Sequence, residues 1–303
     1  MTCRSVTDST GGTIRVRRPP TSLVTVSADL VIQGFDIETA DLKQLAKLAG
    51  ARGIEQLEAR AFRLRGAERA AGIEELCAER RLDCAFVPVD RELADFRLLV
   101  MDMDSTLITI ETVDELADMV GLKNEVAAIT AQAMRGEIEY NESLERRVAL
   151  LAGLEERALQ RVYDERLKLT PGAEILLKRT QALGMKTLLV SGGFTYVTDR
   201  LKTRLGLDHC HSNVLEITDG KLTGKVLGAI VNADGKRDAL IEVRDELRIT
   251  RERVIGIGDG ANDLKFMAEC GVSVAYHAKP VVRQQATHAI NYVDLAGVLH
   301  LFN

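Results

Sequence analysis

The chain has 303 residues, of which 46% are hydrophobic, 28% charged and 4% aromatic, with 24 Gly and 5 Pro. That length buries a substantial core in about two domains, and the mixed composition excludes a collagen-like or globally disordered polymer. Forty basic against 45 acidic residues give a net charge of −5, which argues against a broad nucleic-acid surface but not against a local cationic pocket.

Residues 1–20 carry Arg4, Arg15, Arg17 and Arg18 among Ser and Thr, with Asp8 as the one acid. Gly11-Gly12 and Pro19-Pro20 interrupt any amphipathic helix, so a flexible tail is the favoured expectation over a targeting segment. Residues 21–93 read as a small α+β module in the order strand, helix, strand, helix, strand. Its extended segments are Leu23, Val24 and Val26 with Val31 and Ile32, then Ile54 to Leu64, then Cys84 to Val89. Asp41 is positioned to cap a helix bearing Leu42, Leu45, Ala46 and Leu48, and Ala67 to Arg81 reads as a second helix. The charged run from Glu55 to Arg69 reads as a solvated face.

From residue 94 onward a larger domain is expected. Arg97 to Met101 is a short apolar run that ends in acids. Helical spacing follows over about residues 109–170, in Leu116/Val120, Val126/Ile129 and Leu144/Val148/Leu151, until Pro171-Gly172 interrupts it. Lys186 to Val190 reads as a buried strand, followed by a helix on Val197, Leu201 and Leu205. A hairpin over 214–227 turns at Asp219-Gly220. A helix with Leu240, Val243 and Leu247 precedes strands at Arg253 to Ile257 and Val272 to Ala275. Alternating α and β elements with continuously apolar strands predict a doubly wound parallel α/β sheet covered on both faces. The block at 109–170 becomes a helical cap inserted above the strand ends.

Ligands of such sheets bind beyond the carboxyl ends of the strands. Four segments leave polar residues there: Asp102-Met-Asp104-Ser-Thr106, Ser191-Gly192-Gly193, Lys236, and Gly258-Asp259-Gly-Ala-Asn262-Asp263. Asp-x-Asp alone is a weak signal, since two acids at a strand end usually cap a helix or sit in solvent. Several carboxylates together repel one another unless a hard cation such as Mg²⁺ offsets them. A lysine and the amides of a Ser-Gly-Gly helix start suit an anion, and a cation site beside an anion site is what phosphoryl transfer needs.

These four segments resemble the haloacid-dehalogenase-type (HAD) phosphatase superfamily, and within it the phosphoserine phosphatase branch. The resemblance runs from about residue 97 to 298 and includes Ala133-Met-Arg-Gly136, Ser143-Leu-x-x-Arg147-Val and Ala275-Tyr-His-Ala-Lys-Pro280. It implies a HAD-like core and hydrolysis of O-phospho-L-serine to L-serine and phosphate, the final step of serine biosynthesis. Asp102 would be the nucleophile that carries an aspartyl-phosphate, and Asp104 the general acid and base. Mg²⁺ would be held by the Asp102 carboxylate, the Asp104 main-chain oxygen and the Asp259 carboxylate, with Asp263 supporting that shell. Ser191 and the Gly192 amide would hold phosphoryl oxygens, Lys236 would offset their charge, and Asn262 would orient Lys236 or the phosphoryl group. The same resemblance assigns Glu111 to the substrate ammonium and Arg147 to its carboxylate, with Met134, Gly136 and Tyr140 lining the pocket. Without it, Glu111 and Arg147 read as solvated helix residues.

Three other readings stay open: a phosphatase for another small phosphomonoester, a phosphoserine-dependent phosphotransferase, and a regulatory amino-acid-binding protein with an idle core. The N-terminal module is similar to ACT-like domains in its βα alternation but is short of a strand; a homodimerisation or docking unit is an equal reading. Nucleic acid is not an expected partner at a net charge of −5, nor is a membrane, since no 18 apolar residues run together. The five cysteines (Cys3, Cys77, Cys84, Cys210, Cys270) form no C-x-x-C pair and read as reduced thiols of a cytoplasmic protein.

Some signals are set aside. Gly256-Ile-Gly258-Asp-Gly-Ala261 fits a dinucleotide pattern, but Asp259 inside the loop repels a pyrophosphate and no ribose-binding acid follows. His209-Cys210-His211 lacks further ligands at matching spacing and reads as a loop or strand edge. His277 reads as a structural imidazole, and Met101 and Met103 as core or wall.

Overall fold

The computed structural model describes residues 28–303. The expected tail at 1–20 and the extended segment at Leu23 to Val26 lie outside the described residues. The N-terminal module holds β1 (Ala28–Gln33), α1 (Thr39–Leu48), β2 (Gly53–Glu58), β3 (Ala61–Ala67), α2 (Ile73–Glu79) and β4 (Asp83–Pro88). They form an antiparallel sheet of order β2-β3-β1-β4.

The single extended segment expected at Ile54 to Leu64 is therefore two strands. They turn at Ala59-Arg60, which carries none of the Gly or Asn that marks a tight hairpin. The strand missing from the sequence reading is recovered, and the order becomes βαββαβ. Asp41 does not cap α1: Glu38 precedes the helix, and Asp41 lies within its first turn, paired with Arg80 at 3.2 Å. The second helix is also shorter than expected, because Ala67 ends β3.

The larger sheet begins with β5 (Leu98–Asp102). The cap follows as α3 (Thr112–Met119), α4 (Lys123–Met134), α5 (Tyr140–Ala149) and α6 (Arg157–Arg161). After α7 (Ala173–Ala182) come β6 (Lys186–Phe194), α8 (Thr195–Leu205), β7 (His209–Thr218), β8 (Lys221–Leu227) and α9 (Ala233–Glu246). The chain finishes with β9 (Val254–Gly258), α10 (Leu264–Met267), β10 (Val272–Tyr276), α11 (Pro280–Gln285) and β11 (His288–Ile290). The strand order is β11-β10-β9-β5-β6-β7-β8, parallel except for β8, which turns back on β7. That hairpin turns at Asp219 and Gly220, both left-handed (φ 51° and 73°).

Burial explains why β5 reads as an unbroken apolar run. Leu99 and Met101 enter one core and Leu98 and Val100 the core on the opposite face. Each such side chain contributes roughly 1.5–3 kcal/mol. The cap has its own core of Leu116, Val126, Leu144, Val148 and Leu151, completed by Leu215 and Leu222 from the β7–β8 hairpin. The cap is thus seated on a flap of the sheet it covers, a partnership the helical spacing does not reveal.

One face of the small sheet is covered by α1 and α2. Val31, Ala85 and Val87 on its other face pack with Phe96, Leu295, Val298, Leu301 and Phe302. Arg63, within the run expected to be solvated, is only 2% exposed and donates to the carbonyls of His300 (3.0 Å) and Phe302 (2.6 Å). The buried Asp83 carboxylate accepts from the amides of Asn291 (2.6 Å), Tyr292 (2.9 Å) and Val293 (3.0 Å), tying β4 to the segment after β11. Replacing Asp83 by Ala orphans three amides, so denaturant unfolding is expected to show a loss of roughly 3 kcal/mol. A loss below about 0.5 kcal/mol, the level of an ordinary surface substitution, would contradict this anchoring.

Candidate active site

The parallel crossovers bring the ends of β5, β6 and β9 side by side, and α9 carries Lys236 against them. Asp102 is the last residue of β5, Ser191 lies near the end of β6, and Asp259 follows β9. With the cap these strand ends enclose a cleft of about 270 Å³, whose lining includes Gly192 but not the fully buried Ser191. Asp102, Asp104, Gly192, Lys236, Asp259 and Asn262 line it from the sheet, and Glu111, Met134, Tyr140 and Arg147 from the cap side.

Lys236 is fully buried and donates to Asp102 Oδ1 at 2.6 Å and to Asp263 Oδ1 at 2.7 Å. Burial alone would depress its ammonium, yet Asp102 and Asp263 raise it, so the lysine stays charged. Asn262 lines the cleft without bonding Lys236; Asp263 orients the lysine instead. The second oxygen of Asp263 accepts from the amides of Asp259 (3.1 Å) and Gly260 (2.9 Å). A carboxylate therefore already fills the amide nest that a dinucleotide pyrophosphate would need.

Asp104 Oδ1 accepts from the Thr112 hydroxyl (2.6 Å) and amide (3.1 Å). Burial and the neighbouring Glu111 push Asp104 up to about 7, against those two bonds. Its Oδ2 faces Gly193, where a Cβ would sit 2.9 Å from that oxygen and 3.0 Å from Ser191 Oγ. Any larger residue would displace one of them. A Cβ on Gly192 would collide with the Tyr140 hydroxyl.

Ser191-Gly192-Gly193 does not start a helix. β6 continues through it to Phe194 and α8 begins at Thr195, so the tripeptide is an irregular strand end. Gly136 also departs from expectation: it is exposed, left-handed (φ 73°) and outside the cleft, because α4 runs through Met134 and the glycine follows its end. Met134 sits at the rim, 65% exposed. Glu111 accepts from the Ser105 hydroxyl at 2.7 Å. Arg147 has no carboxylate partner among the described residues, and its Nε donates to the Ser143 carbonyl at 3.3 Å.

Carboxylate oxygens of Asp102, Asp259 and Asp263 lie within 4.8 Å of one another. With Lys236 among them the formal charge is −2, and hard oxygen donors in that number suit a hard divalent cation. Burial, then Asp263 and Asp259, raise Asp102 against the pull of Lys236. Burial, then Asp263 and Glu111, push Asp259 up to about 6.

The signals set aside have structural roles. His277 Nε2 meets the Val293 carbonyl at 3.0 Å, His209-Cys210-His211 lies in β7, and Met101 and Met103 are core. Sequence reasoning missed Thr112, which holds Asp104, and gave no role to Thr106 of the Asp-x-Asp-Ser-Thr segment, whose hydroxyl reaches Asp259 at 3.4 Å. Thr112 belongs to no spacing pattern, and the pattern that holds Thr106 does not point at Asp259.

A carboxylate must lose its proton to hold a cation. With Asp259 near 6, calorimetric titration with a divalent cation is expected to show affinity rising from pH 5 to pH 7 and protons released on binding. Asp259→Asn is expected to weaken binding. Affinity independent of pH in that range would contradict the cluster as the site.

A family model for haloacid dehalogenase-like hydrolases matches residues 99–268, and one for a domain of unknown function (DUF4072) matches residues 30–73. A phosphoserine phosphatase of Polaromonas sp. strain JS666 is 54% identical over 217 residues, 70% of this chain and 92% of the relative. A HAD family hydrolase from Salmonella enterica serovar Typhi superposes with a TM-score of 0.83 at 32% identity, over 91% of this chain and 98% of that one. A phosphoserine phosphatase solved as a phospho-aspartyl intermediate analogue superposes with a TM-score of 0.65 at 35% identity, over 69% of this chain and 99% of that one. Among the described residues no helix is long and apolar enough to cross a membrane. The sheet order, the inserted cap, the acidic cluster around a buried lysine and these likenesses converge: the chain belongs to the haloacid dehalogenase-like hydrolase family.

Proposed function

We propose that the chain is a Mg²⁺-dependent phosphoserine phosphatase that hydrolyses O-phospho-L-serine through an aspartyl-phosphate on Asp102. The observation that carries this reading is the pairing of two carboxylates two residues apart. Asp102 is held by a buried lysine, and Asp104 sits near neutrality beside it.

An Asp102 oxygen attacks phosphorus while the ester oxygen departs as the serine hydroxyl, taking its proton from Asp104. Water then attacks the acyl phosphate, gives its proton to Asp104, and frees Asp102 and phosphate. A group near 7 is suited to both transfers. Splitting the displacement lowers the barrier of a reaction whose catalysed acceleration reaches about 10²¹-fold.

The Asp102 carboxylate, the Asp104 main-chain oxygen and the Asp259 carboxylate are the proposed holders of Mg²⁺, with Asp263 in support. When bound, the ion supplies charge neutralisation at the phosphoryl oxygens. Ser191 and the Gly192 amide are assigned to those oxygens, with Lys236 balancing their charge. The Asn262 side chain faces the same cleft.

Substrate choice is assigned to the cap side. Arg147, with no carboxylate partner among the described residues, is free to take the substrate carboxylate in a two-pronged contact, and Glu111 the ammonium. Met134 and Tyr140 supply walls. We place the catalytic domain at 94–303 in a cytoplasmic enzyme. Residues 21–93 we assign to an ACT-like module whose exposed edge strand β2 favours a homodimer contact.

Phosphate release from a panel of small phosphoesters with Mg²⁺ is expected to favour phospho-L-serine strongly and to vanish in Asp102→Asn. A flat profile, or Mg²⁺-dependent turnover by that variant, would overturn the reading. Transfer to an added alcohol in place of release would identify a phosphotransferase. Arg147→Ala is expected to lower kcat/KM for phosphoserine by about 10- to 100-fold, the worth of charge-assisted hydrogen bonds. Wild-type efficiency in that variant would remove the role of Arg147.

A further inference from the structure

The β6–β7 ladder is interrupted beside the site. Val190 pairs with His211 and Phe194 with Asn213, so β6 advances four residues while β7 advances two. Ser191, Gly192 and Gly193 therefore bulge out of the ladder, and bulges leave backbone groups that need other partners. Asn213 supplies one. Its side chain, in a residue 1% exposed, donates from Nδ2 to the Gly192 carbonyl at 2.8 Å.

The other end of the same amide faces a different segment. Asn213 Oδ1 accepts from the Val231 amide at 2.8 Å. The next residue, Asn232, caps α9 by accepting from the amides of Asp234 and Gly235, and its carbonyl accepts from the Lys236 amide at 2.9 Å. One buried amide thus joins the Ser191 bulge to the start of the helix that carries Lys236.

Fixing the Gly192 carbonyl fixes the peptide plane it shares with the Gly193 amide. That amide donates to Ser191 Oγ at 2.8 Å, which leaves the serine hydroxyl hydrogen for another acceptor.

We propose that Asn213 is a positioning residue for phosphoryl transfer, setting the spacing between the Ser191 bulge and the Lys236 helix. This inference rests on the phosphatase reading above. Asn213 touches neither substrate nor metal in this account and acts through the groups it holds.

The test is steady-state hydrolysis of phosphoserine with Mg²⁺ by the full chain and by Asn213→Ala, with thermal unfolding measured alongside. A small displacement of aligned groups is expected to lower kcat by about 100-fold while KM moves by less than about threefold. Ser212→Ala is the structural control, because the Ser212 hydroxyl is buried on the same strand against Thr198 at 2.7 Å and holds no part of the bulge. It is expected to lower the melting temperature with kcat within about twofold of wild type. Should Asn213→Ala fail to fold, Asn213→Ser, whose shorter arm cannot span both partners, is expected to show the same loss of kcat. A folded Asn213 variant with wild-type kcat, or one changed only in KM, overturns the proposal, as does an equal loss of kcat in Ser212→Ala. Absence of wild-type turnover overturns the underlying phosphatase reading, and is a different result from unimpaired turnover by the Asn213 variants.

Discussion

The site depends on one buried cation held between two carboxylates. Lys236 reaches across from α9 to Asp102 on β5 and Asp263 after β9, with no solvent to replace either bond. Removing one partner of such a buried pair costs about 3–5 kcal/mol, because the survivor is left uncompensated. The ammonium therefore fixes the Asp102 carboxylate and the acidic loop in one arrangement. Three carboxylates around one lysine leave a formal charge of −2, an oxygen cluster that could hold a divalent cation.

Positions distant in the chain meet because the strands that lead to Asp102, Ser191 and Asp259 are parallel and end on the same side. β5, β6 and β9 are neighbours in the sheet, although 98–102, 186–194 and 254–258 are far apart in sequence. The cap is inserted between the first two of these strands and completes its core on the β7–β8 hairpin. The N-terminal sheet stands apart from the chemistry, but its Val31, Ala85 and Val87 belong to the core beneath β5. The catalytic sheet and the module are thus packed as one body at that junction.

Much of this was legible in the sequence where the signal was local. A continuously apolar strand ending in Asp-x-Asp, the Gly-Asp-Gly-Ala-Asn-Asp loop and the alternation of strand and helix predict the sheet, and Asp102 and Asp259 fall at its strand ends while Lys236 comes from α9 and Glu111 and Arg147 from the cap. Legibility failed where the deciding partner is remote. Ala59-Arg60 turns a hairpin without turn residues, since β1 on the far side of β3 completes the sheet that stabilises it. Ser191-Gly192-Gly193 reads as a helix start, but its conformation comes from a register slip against β7 and from the Asn213 side chain. Arg63 reads as solvated because nothing nearby announces that the carbonyls of His300 and Phe302 lie over it. Thr112, eight residues from Asp104, acquires its role only once the turn after β5 folds back.

In the proposed reaction Asp102, oriented by Lys236, carries the phosphoryl group. The most direct test is rapid acid quenching of the enzyme during turnover of radiolabelled phosphoserine with Mg²⁺, followed by mapping of the labelled peptide. An acid-stable, alkali-labile phosphate on Asp102 is expected. Label on another residue, or full turnover with no covalent label at any quench time, would contradict it.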